Sequence, residues 1–412
     1  MPSPPPRILL ADADAFFVAV ARLVDPEGAG KADLLIVGGA RDSRGVVCSA
    51  SYETRKFGVR SAMPIAQALR LCPKALCVPV PRAECARMSR RIRDVLQRFT
   101  PVVEGASIDE WYLDLSGTEA LYRGESLEAT ARRIREAVRA ETGLSVSIGG
   151  GTNKLVAKLA VELAKPKPGR DATGVHIVPP GNEGELMLGF ALADIPLIGP
   201  KFQERLHRLG MRTVAHVLEQ DVSALVRWFG EREGRWLHDR VRGIDRSRVT
   251  PREEQKSISR EDTFPRDLAD DASLERALLA LVVRAAADLR GDGLAARTIT
   301  VKLRDGDFTT RQASRTLPTG VVADRVIFAT ARELLRRLRA ARRCPARLIG
   351  VALSSLGTNP EPAQLALFGE GDGDGASGSP ETARDRALTR AVDELRGRFG
   401  SDAIVPGALK QD

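Results

Sequence analysis

Residues Val102–Ser116 read VVEGASIDEWYLDLS, an apolar stretch with two adjacent acids, Asp109 and Glu110, near its middle. Ile108, Trp111, Tyr112, Leu113 and Leu115 favour a β-strand. Successive strand residues point to opposite faces, so Asp109 and Glu110 cannot both look into one core. A bend or the sheet rim must present both to a shared site. Burying two unpaired carboxylates costs several kcal/mol each, which makes a dication a natural partner. An isolated Asp-Glu pair would equally suit a solvated strand end.

A second acidic strand shifts that balance. Arg7–Val20, RILLADADAFFVAV, is apolar and interrupted by Asp12 and Asp14. Two strands that each carry acids amid apolar residues point to one hard-cation site with oxygen ligands. Two Mg²⁺ ions held by three carboxylates would stabilise the attacking and leaving oxygens of a phosphoryl transfer.

At 412 residues the chain has room for two to four domains. Lys plus Arg number 63 against 54 Asp plus Glu, a net charge of +9, which fits a polyanionic partner. A GC-rich genome would also raise Arg, Ala and Gly, and composition does not separate the two. The five cysteines include no CxxC pair, so neither a zinc site nor a disulfide framework is expected, and a reducing cytoplasm fits. MPSPPPR has no apolar signal core and no run of 18 apolar residues occurs, so no membrane association is expected. The four scattered histidines argue against His-based metal or acid–base chemistry.

Along the chain, helix is expected from Ala15, strand over Val46–Ser51, and a loop or short helix carrying Tyr52, Arg55, Lys56 and Arg60. A ring beside three cations suits a triphosphate with its sugar or base, or simply an exposed basic loop. Helices follow at Ala66–Leu71, Glu84–Phe99 and Leu127–Glu141, with a strand at Leu144–Ile148. This order predicts an α+β, palm-like sheet with helices on one side. Gly149–Gly151 precede a helix running to Ala164, where free N–H groups could cradle phosphate, although the spacing is not that of a Walker A loop. Lys154, Lys158 and Lys165 are candidate phosphate ligands, or a solvated helix face.

Ala193–Leu218 holds a turn, Leu197-Ile198-Gly199-Pro200, between helical patterns. That reads as a helix–hairpin–helix, whose amides hold a DNA phosphate without reading sequence. Gly243–Glu254 is polar and reads as a linker. Beyond it, strands at Ser257–Phe264, Thr298–Arg304 and Phe308–Ser314 and helices at Leu274–Arg290 and Ala323–Arg343 make a small α+β domain. Residues 251–356 carry 20 Lys/Arg and 14 Asp/Glu. Thr298, Thr300, Lys302, Arg304 and Arg311 alternate with apolar residues, a basic strand face fit for a nucleic-acid backbone or for plain solvation. Gly369–Pro380 is low-complexity. Gln364-Leu365-Ala366-Leu367-Phe368 before it reads as a short docking peptide or an extra strand. Arg384–Phe399 reads as a basic amphipathic helix.

In combination these stretches resemble the Y-family of translesion DNA polymerases, of the bacterial DNA polymerase IV type. The matching residues are Asp12–Phe17 (DADAFF), Ala50–Pro64 (ASYETRKFGVRSAMP), Ser107–Glu110 (SIDE), Asn153–Lys154 through Ala164–Pro166, Ile195–Pro200 and Lys256–Glu261. They cover about residues 7–356 in the family's order. The resemblance implies a right-hand, multidomain α+β polymerase. Its palm (residues 1–22 and 77–175) would have a mixed sheet, with small fingers at 23–76. A helical thumb with the hairpin would span 176–243, a linker 244–254 and an α+β little finger 255–356. The tail, 357–412, would carry the sliding-clamp peptide Gln364, Leu365, Leu367 and Phe368.

The same resemblance implies residue roles. Asp12, Asp109 and Glu110, with the Ala13 carbonyl, would hold two Mg²⁺, or Mn²⁺ in their place. Phe16, Phe17, Tyr52, Arg55 and Lys165 would receive the incoming dNTP, with Phe17 as the steric gate against a 2′-hydroxyl. Ile198, Gly199, Lys201, Lys256, Arg260, Lys302 and Arg304 would meet primer–template DNA, in a cytoplasmic monomer. Trp111, Ala21, Leu197 and Cys85 depart from the family pattern; none is a metal ligand, but Trp111 is a bulky ring beside the acidic pair. Two other readings are a non-catalytic DNA- and clamp-binding Y-family scaffold and a helix–hairpin–helix repair enzyme. The three acids weigh against the first, and the Phe16-Phe17 and Tyr52–Arg60 stretches against the second.

Overall fold

Ile8–Ala13, the first strand, sits at the centre of a five-stranded sheet and is buried along its whole length. In the computed structural model, residues 4–41, 43–166, 173–251, 254–358, 380–400 and 402–409 are described below. The chain forms two compact units, Met1–Glu253 and Glu254–Asp412. The expected tail peptide, Gln364–Phe368, lies outside the described residues.

The first unit begins β1 (Ile8–Ala13), α1 (Phe16–Val24), β2 (Leu35–Gly38), β3 (Val47–Ala50), α2 (Tyr52–Arg55), α3 (Ile65–Leu71), β4 (Leu76–Pro79) and α4 (Arg82–Gln97). It continues β5 (Val103–Gly105), β6 (Glu110–Asp114), α5 (Leu127–Thr142), β7 (Val146–Gly151), α6 (Lys154–Ala164) and β8 (Val175–Ile177). Five short helices close it: α7 (Glu183–Leu188), α8 (Pro200–Arg208), α9 (Val214–Leu218), α10 (Val222–Phe229) and α11 (Glu231–Arg240).

The main sheet runs β5-β6-β1-β7-β8, antiparallel except for the β7–β8 pair. Alternation along β1 sends Leu9, Ala11 and Ala13 to one face, where they join Trp111 and Leu113 of β6 and buried residues of α1, α4 and α5. Ile8 and Leu10 go to the other face, against Ala157 and Val161 of α6. The sheet is therefore covered on both sides, not on one as the sequence suggested.

Gly149–Gly151 are the reason α6 can lie so close. They form the end of β7 rather than a phosphate cradle. A Cβ on Gly149 would stand 2.1 Å from the Val161 nitrogen and 2.3 Å from the Ala157 oxygen. Only glycine admits the α6 backbone there. Asn153 starts the helix, its side chain accepting the Val156 N–H at 3.0 Å and donating to the Gly243 carbonyl at 2.8 Å.

A smaller sheet, β3-β2-β4, is backed by Ile65 and Ala68 of α3. The helices α7–α11 share a core that includes Ile198, Leu206, Leu225 and Leu237. The described start of the expected linker is packed down: Val249 is buried with Ile8 and Leu10, and the Thr250 N–H donates to Glu104 at 2.8 Å.

In the second unit the order is β9 (Ser257–Leu268), α12 (Asp271–Gly291), β10 (Leu294–Asp305), β11 (Thr310–Val321), α13 (Asp324–Ala341), β12 (Ala346–Thr358) and α14 (Ala383–Phe399). Its antiparallel sheet runs β11-β10-β12-β9. The core lies between this sheet and α12 with α13. Ile299, Val301 and Leu303 of β10 enter that core, so Thr298, Thr300, Lys302 and Arg304 form the opposite face, as expected. Arg311 does not join them. It pairs in register with buried Leu303 and bonds Asp305 at 2.9 Å and the Leu338 carbonyl, on the helix side. Helix α14 is held by polar contacts: Arg290 to Asp393, Arg325 to Asp385 at 2.7 Å, and the Val322 N–H to Glu381 at 2.9 Å.

Candidate active site

Main-chain pairing brings the three acids to one rim. Asp12 and Glu110 are partners across β1 and β6, and the Ala13 N–H donates to the Asp109 carbonyl at 2.9 Å. Residues 106–109 form the bend that the sequence demanded, closed by the Ala106 N–H on the Glu110 carbonyl at 2.9 Å. Asp109 belongs to the bend, and Glu110 opens the strand. Glu110 and Asp12 share the face that α6 covers. Trp111 takes the opposite face and is buried at 2 % exposure in the core beneath the sheet. Although it adjoins the acids in sequence, its ring lies on the face away from them.

Helix α6 supplies the counter-charges. Lys158 and Lys165 are seven residues apart, on one side of the helix axis. Lys165 Nζ is 2.7 Å from Asp12 Oδ2 and 2.8 Å from Glu162. Lys158 Nζ is 2.6 Å from Glu110 Oε1 and 3.8 Å from Asp12 Oδ2. Lys154, the third candidate phosphate ligand, turns elsewhere: it bonds Glu104 at 2.6 Å and stands 4.7 Å over the Tyr112 ring. The sequence reading missed that Lys158 and Lys165 meet the acids themselves. The signal was present in their seven-residue spacing, but it needed knowledge of which sheet face the helix covers.

Burial governs the electrostatics. Asp12 is only 5 % exposed, and its pKa is pushed up to about 7 by burial and by Glu110, against the pull of Lys165 and Lys158. For Lys165 burial works against the charge, but Asp12 and Glu162 more than offset it and hold its pKa above the ordinary ammonium range. Tyr52 is raised to about 12, chiefly by burial and then by Asp14.

Around the acids, Asp14 accepts from Ser147 of β7 at 2.7 Å. Arg55 stacks 5.2 Å over the Tyr52 ring while its Nε donates to the Ala50 carbonyl at 2.9 Å. Phe17 is half-buried and meets buried Phe16 edge-on, with centroids 5.6 Å apart. As placed, Asp109 faces Ser107, Glu110 faces Lys158 and Asp12 faces Lys165. Among the described residues no three acidic, histidine or cysteine side chains stand together as a formed metal cluster. The donor set nonetheless fits a hard divalent cation: three carboxylates and the Ala13 carbonyl on adjoining strand ends, one carboxylate destabilised by burial without such a charge.

The candidate DNA contacts divide. Gly199 caps α8 and Lys201 is exposed in its first turn, where helix geometry leaves N–H groups unpaired. Ile198 is buried in the helical core, so only its main chain remains available. Leu197 holds φ +74° and is 78 % exposed. Lys302 and Arg304 share the open sheet face, Lys302 with Glu261 beside it. Arg260 lies in register with buried Val351, on the other face, and pairs with Asp288 of α12. Lys256 is exposed just before β9.

Three family models match the chain: the impB/mucB/samB family over residues 11–162, its C-terminal domain over 255–367, and the DNA polymerase-iota thumb domain over 193–245. The DNA polymerase IV of Halorhodospira halophila is 39 % identical over 88 % of this chain and 98 % of that protein. That of Desulfatibacillum aliphaticivorans is 36 % identical over 98 % and 97 %. Among solved structures, a Y-family DNA polymerase chimera, Dbh-Dpo4(243-245)-Dbh, superposes with a TM-score of 0.76 at 25 % identity, covering 86 % of this chain and all of the other. The insertion ternary complex of Dbh DNA polymerase gives 0.58 at 26 %, with the same coverage. The chain belongs to the DNA polymerase IV family of Y-family polymerases, DNA-directed DNA polymerases of translesion synthesis, and the scaffold reading is not favoured.

Proposed function

We propose that this polymerase adds dNTPs to a primer 3′-hydroxyl using two Mg²⁺ ions, or Mn²⁺, held by Asp12, Asp109, Glu110 and the Ala13 carbonyl. The supporting observation is the pairing of Asp12 with Glu110 across β1 and β6, with the Asp109 carbonyl tied to the next residue of β1. When bound, the ions lower the pKa of the attacking hydroxyl and stabilise the leaving pyrophosphate. Asp109 and Glu110 must first turn from Ser107 and Lys158. Lys165, Tyr52 and Arg55 receive the triphosphate, Lys165 releasing Asp12 as it does so. Phe17, backed by Phe16, closes the sugar pocket against a 2′-hydroxyl. Catalysis then rests on positioning and charge stabilisation.

In this reading residues 1–22 and 77–175 are the palm, 23–76 the fingers, 176–243 the thumb and 255–356 the little finger, with a linker at 244–254. Primer–template DNA runs past Gly199, Lys201, Lys302 and Arg304. A sliding clamp takes Gln364–Phe368, and the protein works as a cytoplasmic monomer. Among the described residues no helix is long and apolar enough to cross a membrane. The small fingers leave little protein over the nascent base pair, which favours bypass of damaged templates at modest fidelity.

Primer extension on intact and lesion-bearing templates, with wild type beside Asp109→Ala, tests this reading. Extension and bypass by wild type and none by the variant are expected. Activity that survives the substitution refutes the metal assignment, and strict rejection of lesions and mispairs refutes the low-fidelity one.

A further inference from the structure

Asp12 and Glu110, partners across β1 and β6, repel one another unless cations intervene. Lys165 answers Asp12 alone among the three acids. Among the described residues Lys158 is the one cation within ion-pair reach of two of them, at 2.6 Å from Glu110 and 3.8 Å from Asp12. Its position is fixed from behind: Ala157 and Val161 press α6 onto β1 and β7, and Gly149 lets the helix approach. The lysine is about one-quarter exposed, so its charge is only partly screened.

We propose that Lys158 is a positioning residue that acts as a place-holding cation. It draws Glu110 toward Asp12 in the metal-free protein and gives up Glu110 when a divalent cation takes that carboxylate. The inference rests on the metal assignment above and deepens it. Loss of the Lys158–Glu110 pair offsets part of the metal's binding energy, so metal binds weakly until the nucleotide's phosphates add their own oxygens. Service as a phosphate ligand alone is the competing role, and it makes a different prediction: Lys158→Met would weaken Mn²⁺ binding in the presence of nucleotide without lowering the metal-free melting temperature.

The test is titration of Mn²⁺ into the full-length protein without DNA or nucleotide, free Mn²⁺ being read by electron paramagnetic resonance. Wild type, Lys158→Met, Lys158→Arg and Asp109→Ala are compared. Removing a positive charge beside a dication site tightens binding, so Lys158→Met is expected to lower the Mn²⁺ Kd at least about fivefold. Its metal-free melting temperature should fall, and added Mn²⁺ should recover more of it than in wild type. Lys158→Arg keeps the charge and should stay near wild type, and Asp109→Ala should lose the site. Lys158→Gln replaces the methionine variant if that one does not fold. An Mn²⁺ affinity unchanged or weakened in the charge-free variant, with wild type binding normally, overturns the role of Lys158 and leaves the metal assignment standing. Absence of any Asp109-dependent binding in wild type overturns both.

Discussion

Asp12 and Glu110 are cross-strand partners on the face that α6 covers, and a single amine, that of Lys158, reaches both carboxylates. The acids lie about a hundred residues apart in the chain, and only the β1–β6 pairing makes them neighbours. The consequences are testable at the site and at the elements that support it.

Asp109 sits in a bend, half-exposed, with Ser107 as its side-chain partner. Its removal leaves the sheet intact. Asp109→Ala should lower primer extension by at least about a hundredfold while the melting temperature moves little, since the loss falls on transition-state charge stabilisation. Steady-state kinetics beside differential scanning calorimetry check both halves.

Phe17 presents a ring backed by Phe16. Phe17→Ala should raise ribonucleotide incorporation relative to dNTP by on the order of 10- to 100-fold, the scale on which a filled pocket discriminates. Single-nucleotide insertion assays with matched dNTP and rNTP pairs measure the ratio.

Gly149 has no room for a side chain, because α6 backbone atoms would lie 2.1 and 2.3 Å from a Cβ. Gly149→Ala should destabilise the first unit by about 3 kcal/mol or more, the upper range for overpacking. A shift of α6 also draws Lys158 and Lys165 away from Glu110 and Asp12, so Mn²⁺ should bind the folded variant more tightly than wild type. Chemical denaturation with the Mn²⁺ titration separates the two effects.

Leu197 is exposed and holds a left-handed backbone, φ +74°. That conformation costs a non-glycine residue about 1–2 kcal/mol, and glycine's greater freedom in the unfolded chain takes back about 0.5–1 kcal/mol. Leu197→Gly should therefore stabilise the helical region by roughly 0.5–1 kcal/mol with DNA affinity retained, read by urea unfolding and fluorescence anisotropy.

Lys302 lies on the open face of the second unit's sheet. Lys302→Ala should weaken binding to all DNA sequences alike and reduce the slope of log K against log salt by about 0.9. Arg260→Ala, on the helix side beside Asp288, should leave that slope unchanged.

Much was legible in the primary structure because it was periodic or punctuated. The apolar run of Ile8–Ala13 and the helical spacing of Glu84–Phe99 are local patterns, and each holds in the fold, as does the bend at the acidic pair. The second unit's three helices and three of its four strands were read in the same way, as was the polar face of Thr298–Arg304. The order of motifs along the chain sufficed for the family.

What the tertiary structure alone decided is which face each side chain meets. Gly149–Gly151 looked like a phosphate loop, yet they make room for α6. Arg311 looked solvated but turned inward to Asp305, and Trp111 looked like a neighbour of the site but fills the core on its far side. Strand pairing and helix docking join residues far apart in the chain, and those contacts, not any local period, brought Lys158 and Lys165 to the acids.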